Sequence, residues 1–238
     1  MKIINLIFPP HCPLCGELLA LNEGRVHKAC YKKLPWVKEP LCKRCGKPIS
    51  SETGEWCLDC FKSRERHSRS FDSGRALWLY KGDIQKSVLD YKYKGLRSYT
   101  PFYGEEASRV LGSWIRQKAP QVLVPVPLHP RKKRIRGFNQ AELLARDIGK
   151  RMNIPVDGKI LRRNRWTEPQ KALSDRERRH NLTKSMEIHH LPENLKRVML
   201  VDDIYTTGST MEVCGAILKK AGVEKVYFLT LCIGFGEG

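Results

Sequence analysis

The sequence predicts an α/β fold, a mostly parallel sheet flanked by helices, preceded by a small cysteine-rich domain. Three observations carry that prediction. Short runs rich in Val, Leu and Ile alternate with helical patterns through the later part of the chain, as buried parallel strands and their crossovers do. Cysteines recur at a regular interval near the start. Between the two regions lies KSRERHSRS, residues 62–70, which is charged, serine-rich and without hydrophobic period. The boundary falls in that stretch and gives domains 1–66 and 67–238.

In the first domain eight candidate ligands form four pairs: Cys12 and Cys15, His27 and Cys30, Cys42 and Cys45, Cys57 and Cys60. Each pair has a two-residue gap, and successive pairs start fifteen residues apart. Two pairs lie in turns of the form CxxCG, where a glycine lets the backbone curl around a metal. Four thiolate or imidazole ligands make a closed, structural zinc site, so the domain reads as zinc-ribbon-like. Sequential pairing closes the shorter loops and costs less entropy. It gives one site from Cys12, Cys15, His27 and Cys30, and another from Cys42, Cys45, Cys57 and Cys60. The even spacing also permits a crossed pairing. Metal binding supplies folding energy that so short and polar a segment lacks. Cys214 and Cys232 lie in apolar patterns and read as small core residues.

The second domain is read in order. RALWLY is a strand, IQKSVLDYKYKG a helix stopped at Gly95, and PFYGEEASRVLGSWIRQ a helix. QVLVPVPL is a buried strand, and NQAELLARDIGKRM is an amphipathic helix capped by Asn139. KRVMLVDD is a strand, STMEVCGAILKKAG a helix ending at Gly222, and VYFLTLCIG the last strand. Ligands of such sheets bind beyond the carboxyl ends of the strands.

The stretch VMLVDDIYTTGSTM places Asp202 and Asp203 at such an end. Thr206, Thr207, Gly208, Ser209 and Thr210 form the turn into the next helix. Helix-start amides and hydroxyls cradle a phosphate, while paired carboxylates accept hydrogen bonds from vicinal hydroxyls. Together they suit a phosphorylated sugar. A helix cap needs one acid near the helix start, so capping alone does not explain two. No P-loop lysine and no GxGxxG is present, which argues against a nucleoside triphosphatase and a dinucleotide fold.

The formal net charge is +19, from 44 basic and 25 acidic residues, which favours a phosphate-rich partner. The early apolar run IINLIF is far short of the ~20 residues of a membrane span and is followed by no small-residue cleavage site. A cytoplasmic location is therefore expected, and in a reducing compartment cysteines favour metal over disulfides.

VMLVDDIYTTGST resembles the phosphoribosyl-pyrophosphate (PRPP) motif of type I phosphoribosyltransferases. With FPPHCPLCG, YKYKG, VPVPLHPRKKRIRGFNQAELLA and RWTEPQKALSDRERRHNL, almost the whole chain resembles the ComF, or ComFC, competence proteins. The resemblance implies a type I phosphoribosyltransferase-like domain behind a zinc-binding front end, in a factor for DNA uptake during natural transformation. It implies that Asp202 and Asp203 hold the ribose hydroxyls and that Thr206, Thr207, Gly208, Ser209 and Thr210 hold the 5-phosphate. The loop from Pro125 through Val126 to Pro127 corresponds to the pyrophosphate loop, and residues 165–179 to a mobile lid. Purine-salvage members carry an acid where Thr206 stands, so PRPP binding is better supported than transfer. If transfer occurs, pyrophosphate leaves ribose C1 through an oxocarbenium-like state. Magnesium would bridge the diphosphate and the ribose hydroxyls, and Lys92, Lys94 and Arg134 would neutralise the leaving group.

A second reading is a binding module for single-stranded DNA. Arg131, Lys132, Lys133, Arg136, Arg162, Arg163 and Arg165 are the candidate contacts, with Phe138 and Trp166 as stacking platforms. A third is that the zinc segment docks a competence helicase, translocase or recombination protein.

Overall fold

The computed structural model describes residues 9–20, 22–50, 54–65, 70–164 and 185–234. The domain boundary and the lid segment lie outside the described residues. The front end contains α1 (Lys28–Lys32) and α2 (Leu58–Glu65), so helix covers part of the stretch read as linker. Then follow β1 (Ser73–Leu79), α3 (Gly82–Tyr93), a 3-10 turn, α4 (Thr100–Lys118), β2 (Val122–Pro125), α5 (Pro130–Arg136) and α6 (Gln140–Met152). The chain continues through β3 (Leu161–Arg163), β4 (Met186–Ile188), β5 (Arg197–Tyr205), α7 (Ser209–Lys220) and β6 (Lys225–Ile233).

The main sheet has the order β1-β6-β5-β2 and every pair is parallel. The central strands β5 and β6 carry Val, Leu, Phe and Ile toward both faces, so both faces are buried. One core joins Leu123, Met199, Val201, Leu229 and Leu231 to α3, α4 and α6. The other joins Val124, Val198, Leu200, Val226 and Phe228 to α7 and the β3–β4 pair. β5 runs past both aspartates to Tyr205, two residues beyond the predicted strand. β2 stops at Pro125, short of the predicted Leu128, because Pro127 has no N–H for the ladder.

The front end closes an edge of this sheet. Residues 35–37 lie antiparallel to β1, with Val37 N–H donating to the Leu77 carbonyl and Leu79 N–H to that of Pro35, at 2.9 and 2.8 Å. From this seam the two ribbons part. Cys12, Leu14, Leu19 and Leu34 join the α3–α4–α6 core, whereas Cys42, Cys45 and Cys60 join the opposite one. Beyond β2, the segment after α6 pairs with Leu123 through Pro155 and Asp157. Covering both edges removes the unpaired amides that invite intermolecular pairing. No helix among the described residues is long and apolar enough to cross a membrane.

Candidate functional site

Asp202 and Asp203 sit near the carboxyl end of β5, in register with Thr230 of β6 at Asp202. Successive strand residues point to opposite faces, yet the two carboxylates remain electrostatic neighbours. Asp203 N–H donates to Asp202 Oδ1 at 2.9 Å, which turns the first carboxylate toward the second. Burial, then the charge of Asp203, pushes the Asp202 carboxyl up to about 7, against the opposing pull of Lys92. The turn is short: Gly208 takes a left-handed φ of 81° and α7 begins at Ser209. Gly208 has no side chain to cap the helix, so the first-turn amides of α7 face the turn uncapped. Thr207 Oγ1 and Ser209 Oγ lie 2.9 Å apart beside them. Thr206 is exposed, and Thr207 and Thr210 are half-buried.

Lys92 Nζ binds Asp203 Oδ1 at 2.8 Å, with side-chain exposures of 14% and 11%. Lys94, named from sequence beside Lys92, is exposed and pairs with Asp90 at 3.0 Å. Helical spacing separates the two. Lys92 lies eight residues after Ile84 and four after Val88, both buried, whereas Lys94 lies past the last turn. Burial opposes the charge on Lys92, but Asp203, with Asp202 behind it, outweighs burial and holds its pKa above the ordinary value. Arg136 acts on both Lys92 and Asp202. Lys132 is lowered first by burial, then by Arg163, Arg136 and Lys92. Burial likewise lowers Arg163. Lys92 and Arg136 thus act on the two carboxylates, and Lys132 lies within reach of both cations.

The basic run 131–136 lies in the helix α5. His129 caps it, its Nδ1 accepting from Arg131 N–H at 3.2 Å, and Gly137 ends it with φ 76°. Arg131, Lys133 and Arg134 are exposed on it, and Lys132 and Arg136 are half-buried. Arg134 therefore points to solvent, and Arg136 takes the place near the carboxylates. Arg162 is exposed on β3, Arg163 is half-buried, and Arg165 and Trp166 lie outside the described residues.

Two expectations are corrected. Phe138 is no stacking platform: it is 5% exposed, packs 5.6 Å from Tyr91 and carries Arg97 on its ring at 4.8 Å. Val126 has no backbone donor left for a phosphate. Its N–H donates to the Val201 carbonyl at 2.9 Å and its carbonyl accepts from Asn139 Nδ2 at 3.0 Å. Pro125 is buried at the end of β2, so the open part of that loop begins at Pro127. The GFNQ stretch is the clamp for this corner. Asn139 caps α6 through Ala141 N–H, and Gln140 holds the Lys92 carbonyl. Sequence reading missed Gln140 and Tyr93. Tyr93 is 70% exposed, with the Arg136 guanidinium 5.0 Å from its ring; its only signal was an aromatic at the solvent end of a helical pattern.

In the front end the ligands gather in sequence order. Cys12, Cys15, His27 and Cys30 form one cluster and Cys42, Cys45, Cys57 and Cys60 the other, each with its donor atoms within 4.8 Å of one another. Tetrahedral zinc with ~2.3 Å thiolate bonds sets donors roughly 3.8 Å apart, so both sets fit the ion. His27 aims Nδ1 at the cysteines, 3.3 Å from Cys15 Sγ, because Nε2 donates to the Leu18 carbonyl at 3.0 Å. The two knuckles repeat the same turn. Gly16 N–H donates to the Cys12 carbonyl and Gly46 N–H to that of Cys42, both at 2.9 Å. Cys214 and Cys232 are fully buried, and burial pushes the Cys214 thiol up to about 12.

Residues 3–61 match the model of the double zinc ribbon domain, and residues 140–235 that of the phosphoribosyl transferase domain. The chain is 34% identical over 230 residues to DNA utilization protein YhgH of Escherichia coli K12, covering 95% of this chain and 98% of that one. It is 28% identical over 224 residues to competence protein F of Haemophilus influenzae, covering 90% and 93%. With competence protein ComFC of Bacillus subtilis it shares 26% identity over 219 residues, covering 88% and 84%.

Proposed function

The chain belongs to the ComF family, with a double zinc ribbon and a type I phosphoribosyltransferase domain, and from that premise we propose that it binds 5-phosphoribosyl 1-pyrophosphate while serving in the handling of DNA taken up by the cell. The observation that carries the reading is the tip of β5. Two carboxylates stand beside an uncapped helix start with its hydroxyls, and Lys92 and Arg136 act on them. Asp202 and Asp203 accept from the ribose hydroxyls. Thr206, Thr207, Gly208, Ser209 and Thr210 take the 5-phosphate. The diphosphate turns toward Arg136 and Lys132. Magnesium, which favours oxygen ligands and keeps few from protein, neutralises the diphosphate when bound; the carboxylate oxygens here suit that chemistry. Should ribosyl transfer occur, these cations would stabilise departing pyrophosphate.

Thermal unfolding with magnesium and saturating ligand tests the reading, since a ligand that binds only the native state raises its stability. PRPP is expected to raise the unfolding temperature most, pyrophosphate less, and ribose 5-phosphate least. No rise with any of the three contradicts the reading.

A second reading, contact with single-stranded DNA, is favoured by Tyr93. It stands exposed beside Arg136 and the exposed cations of α5, as a base-stacking ring in a basic track does. Oligothymidylate binding is expected to weaken steeply with salt and to fall on Tyr93→Ala. Affinity indifferent to both removes this reading. A protein partner at the zinc segment has one surface in its favour: on α2 of the second ribbon, Leu58 and Phe61 are exposed by 63% and 50%.

A further inference from the structure

We propose that Gln140 is a positioning residue: its buried amide ties the Arg136 guanidinium to the end of α3, and so sets Arg136 and Lys92 in a fixed relation before an anion binds. The inference rests on the ribose-phosphate reading and adds to it a residue that itself touches no ligand. Gln140 opens α6 and is 1% exposed. A buried amide needs a partner at each end. Here Nε2 donates to the Lys92 carbonyl at 3.4 Å, and Oε1 accepts from Arg136 Nη1 at 3.3 Å. The flipped amide would set donor against donor and acceptor against acceptor, so the two partners fix its orientation. The Lys92 carbonyl is one of the last four of α3, the group that a helix leaves without partners of its own. Arg136 ends α5, and the left-handed Gly137 breaks the helix before Gln140. One side chain thus joins the ends of two helices to the start of a third.

The two cations need such a tie. Arg136 is close enough to act against the charge on Lys92, and like charges on free side chains turn apart. Gln140 holds the guanidinium from one side, and the Tyr93 ring lies 5.0 Å from it. A guanidinium carries five N–H donors, so the bond to Gln140 leaves the rest for an anion. Gln140 is anchored in turn. Its carbonyl accepts from the Tyr91 hydroxyl at 3.3 Å, and that hydroxyl lies 3.0 Å from Thr100 Oγ1 at the start of α4. Side chains set in advance lower the ordering cost of binding. The residue type fits this task. An ionised glutamate would accept from Arg136, but it would offer nothing to the Lys92 carbonyl and would bring a further negative charge to an anion site. Methionine has the length and neither polar end. Packing in this corner, where Tyr91 meets Phe138, asks for no polar group at all.

The test joins NMR spectra of the guanidinium groups to isothermal titration of PRPP and inorganic pyrophosphate, each with magnesium, into the zinc-loaded full-length chain. In the unliganded wild type the Arg136 signal, assigned by its loss in Arg136→Lys, is expected to show slow rotation about the Cζ–Nη bonds. Gln140→Met is expected to speed that rotation, and Gln140→Glu, which restores an acceptor, to slow it again. Gln140→Met is also expected to weaken both ligands about 10-fold. In an Arg136→Met background the same substitution is expected to weaken them by no more than about threefold, because residues that act together are not additive. Two zinc ions per chain and a cooperative unfolding transition certify the fold of each variant. The same loss in both backgrounds means that Gln140 acts only through the fold, and overturns the proposal while leaving the ribose-phosphate reading intact. An Arg136 guanidinium that rotates freely in the wild type overturns it too, and that result needs no Gln140 variant to fold. A wild-type chain that binds neither ligand removes the ribose-phosphate reading, and this proposal with it.

Discussion

The zinc ribbons and the tip of β5 both gather like charges, and they relieve the crowding in different ways. In each ribbon four donors converge on the place of a dication, and the backbone supplies the rest: the left-handed glycine turn and, in the first ribbon, the Leu18 carbonyl on His27. At β5 the repulsion between Asp202 and Asp203 is answered only in part, by Lys92 on Asp203 and by the charge of Arg136. The first arrangement completes itself with a metal and serves stability. The second keeps the repulsion between its acids, which is how binding sites hold energy at the expense of stability. Substitutions in the two regions are therefore expected to move stability in opposite directions.

The largest effect is expected from the metal ligands. Cys42→Ser removes one donor of the second cluster. Metal analysis should then find one zinc per chain in place of two, and cooperative unfolding should be lost or fall by tens of degrees, because the ion supplies folding free energy on the order of 10 kcal/mol. Two retained ions at wild-type stability would contradict the ligand assignment. Next comes Asp202→Asn, with the opposite sign. The ordinary carboxyl value is 3.8 and the folded one stands near 7, so the native state holds the proton more tightly than the unfolded chain. That contribution is complete below pH 4 and disappears as the pH rises to 7. Asparagine does not titrate. The variant should gain on the wild type between pH 4 and 7 and unfold a few degrees higher at pH 8; a gap that does not change with pH would refute the stored repulsion.

A matched pair of glycines sharpens the contrast within the front end. Gly16 and Gly46 have φ of 82° and 73°, but a Cβ on Gly16 meets open space and one on Gly46 falls 2.6 Å from the Gly74 carbonyl oxygen. Gly16→Ala is expected to cost the left-handed penalty alone, about 1 kcal/mol, and Gly46→Ala clearly more in a denaturant titration. Equal costs would mean that the second ribbon is not seated on β1 as described. The smallest effect concerns Tyr31 and its counterpart Phe61. Tyr31→Phe removes the hydroxyl bond to buried Glu106, 3.0 Å long, and should cost about 1 kcal/mol. Phe61→Ala, at a half-exposed position, should stay within about 0.5 kcal/mol.

What could be read from the sequence follows the same division. Strands such as VMLV and helices such as NQAELLARDIGKRM announce themselves because their period matches their burial, and the cysteine interval is a local fact that the ribbons keep. The helix α5 was hidden because a run of basic residues has no apolar period; His129 and Gly137 set its ends. β3 and β4 are three residues each, too short to alternate visibly. The seating of the ribbons on opposite faces depends on residues 35–37 meeting β1, a contact between segments about forty positions apart that no local pattern encodes. At the site, the acids and the hydroxyl turn were legible, since a strand end and a helix start fix them. Lys92 was among the cations named from sequence, and its spacing from Ile84 and Val88 separates it from Lys94. Phe138 was misread because an aromatic among arginines looks like a stacking ring, whereas here it fills the corner that Asn139 and Gln140 clamp.

The most direct test of the β5 site is isothermal titration of PRPP with magnesium into the zinc-loaded chain, beside the Asp202→Asn, Asp203→Asn double variant. The account predicts micromolar binding by the wild type and its loss in a variant that still holds two zinc ions and still unfolds cooperatively. Binding of equal strength in both would show that the carboxylates do not hold the ribose, and would contradict the account at its centre.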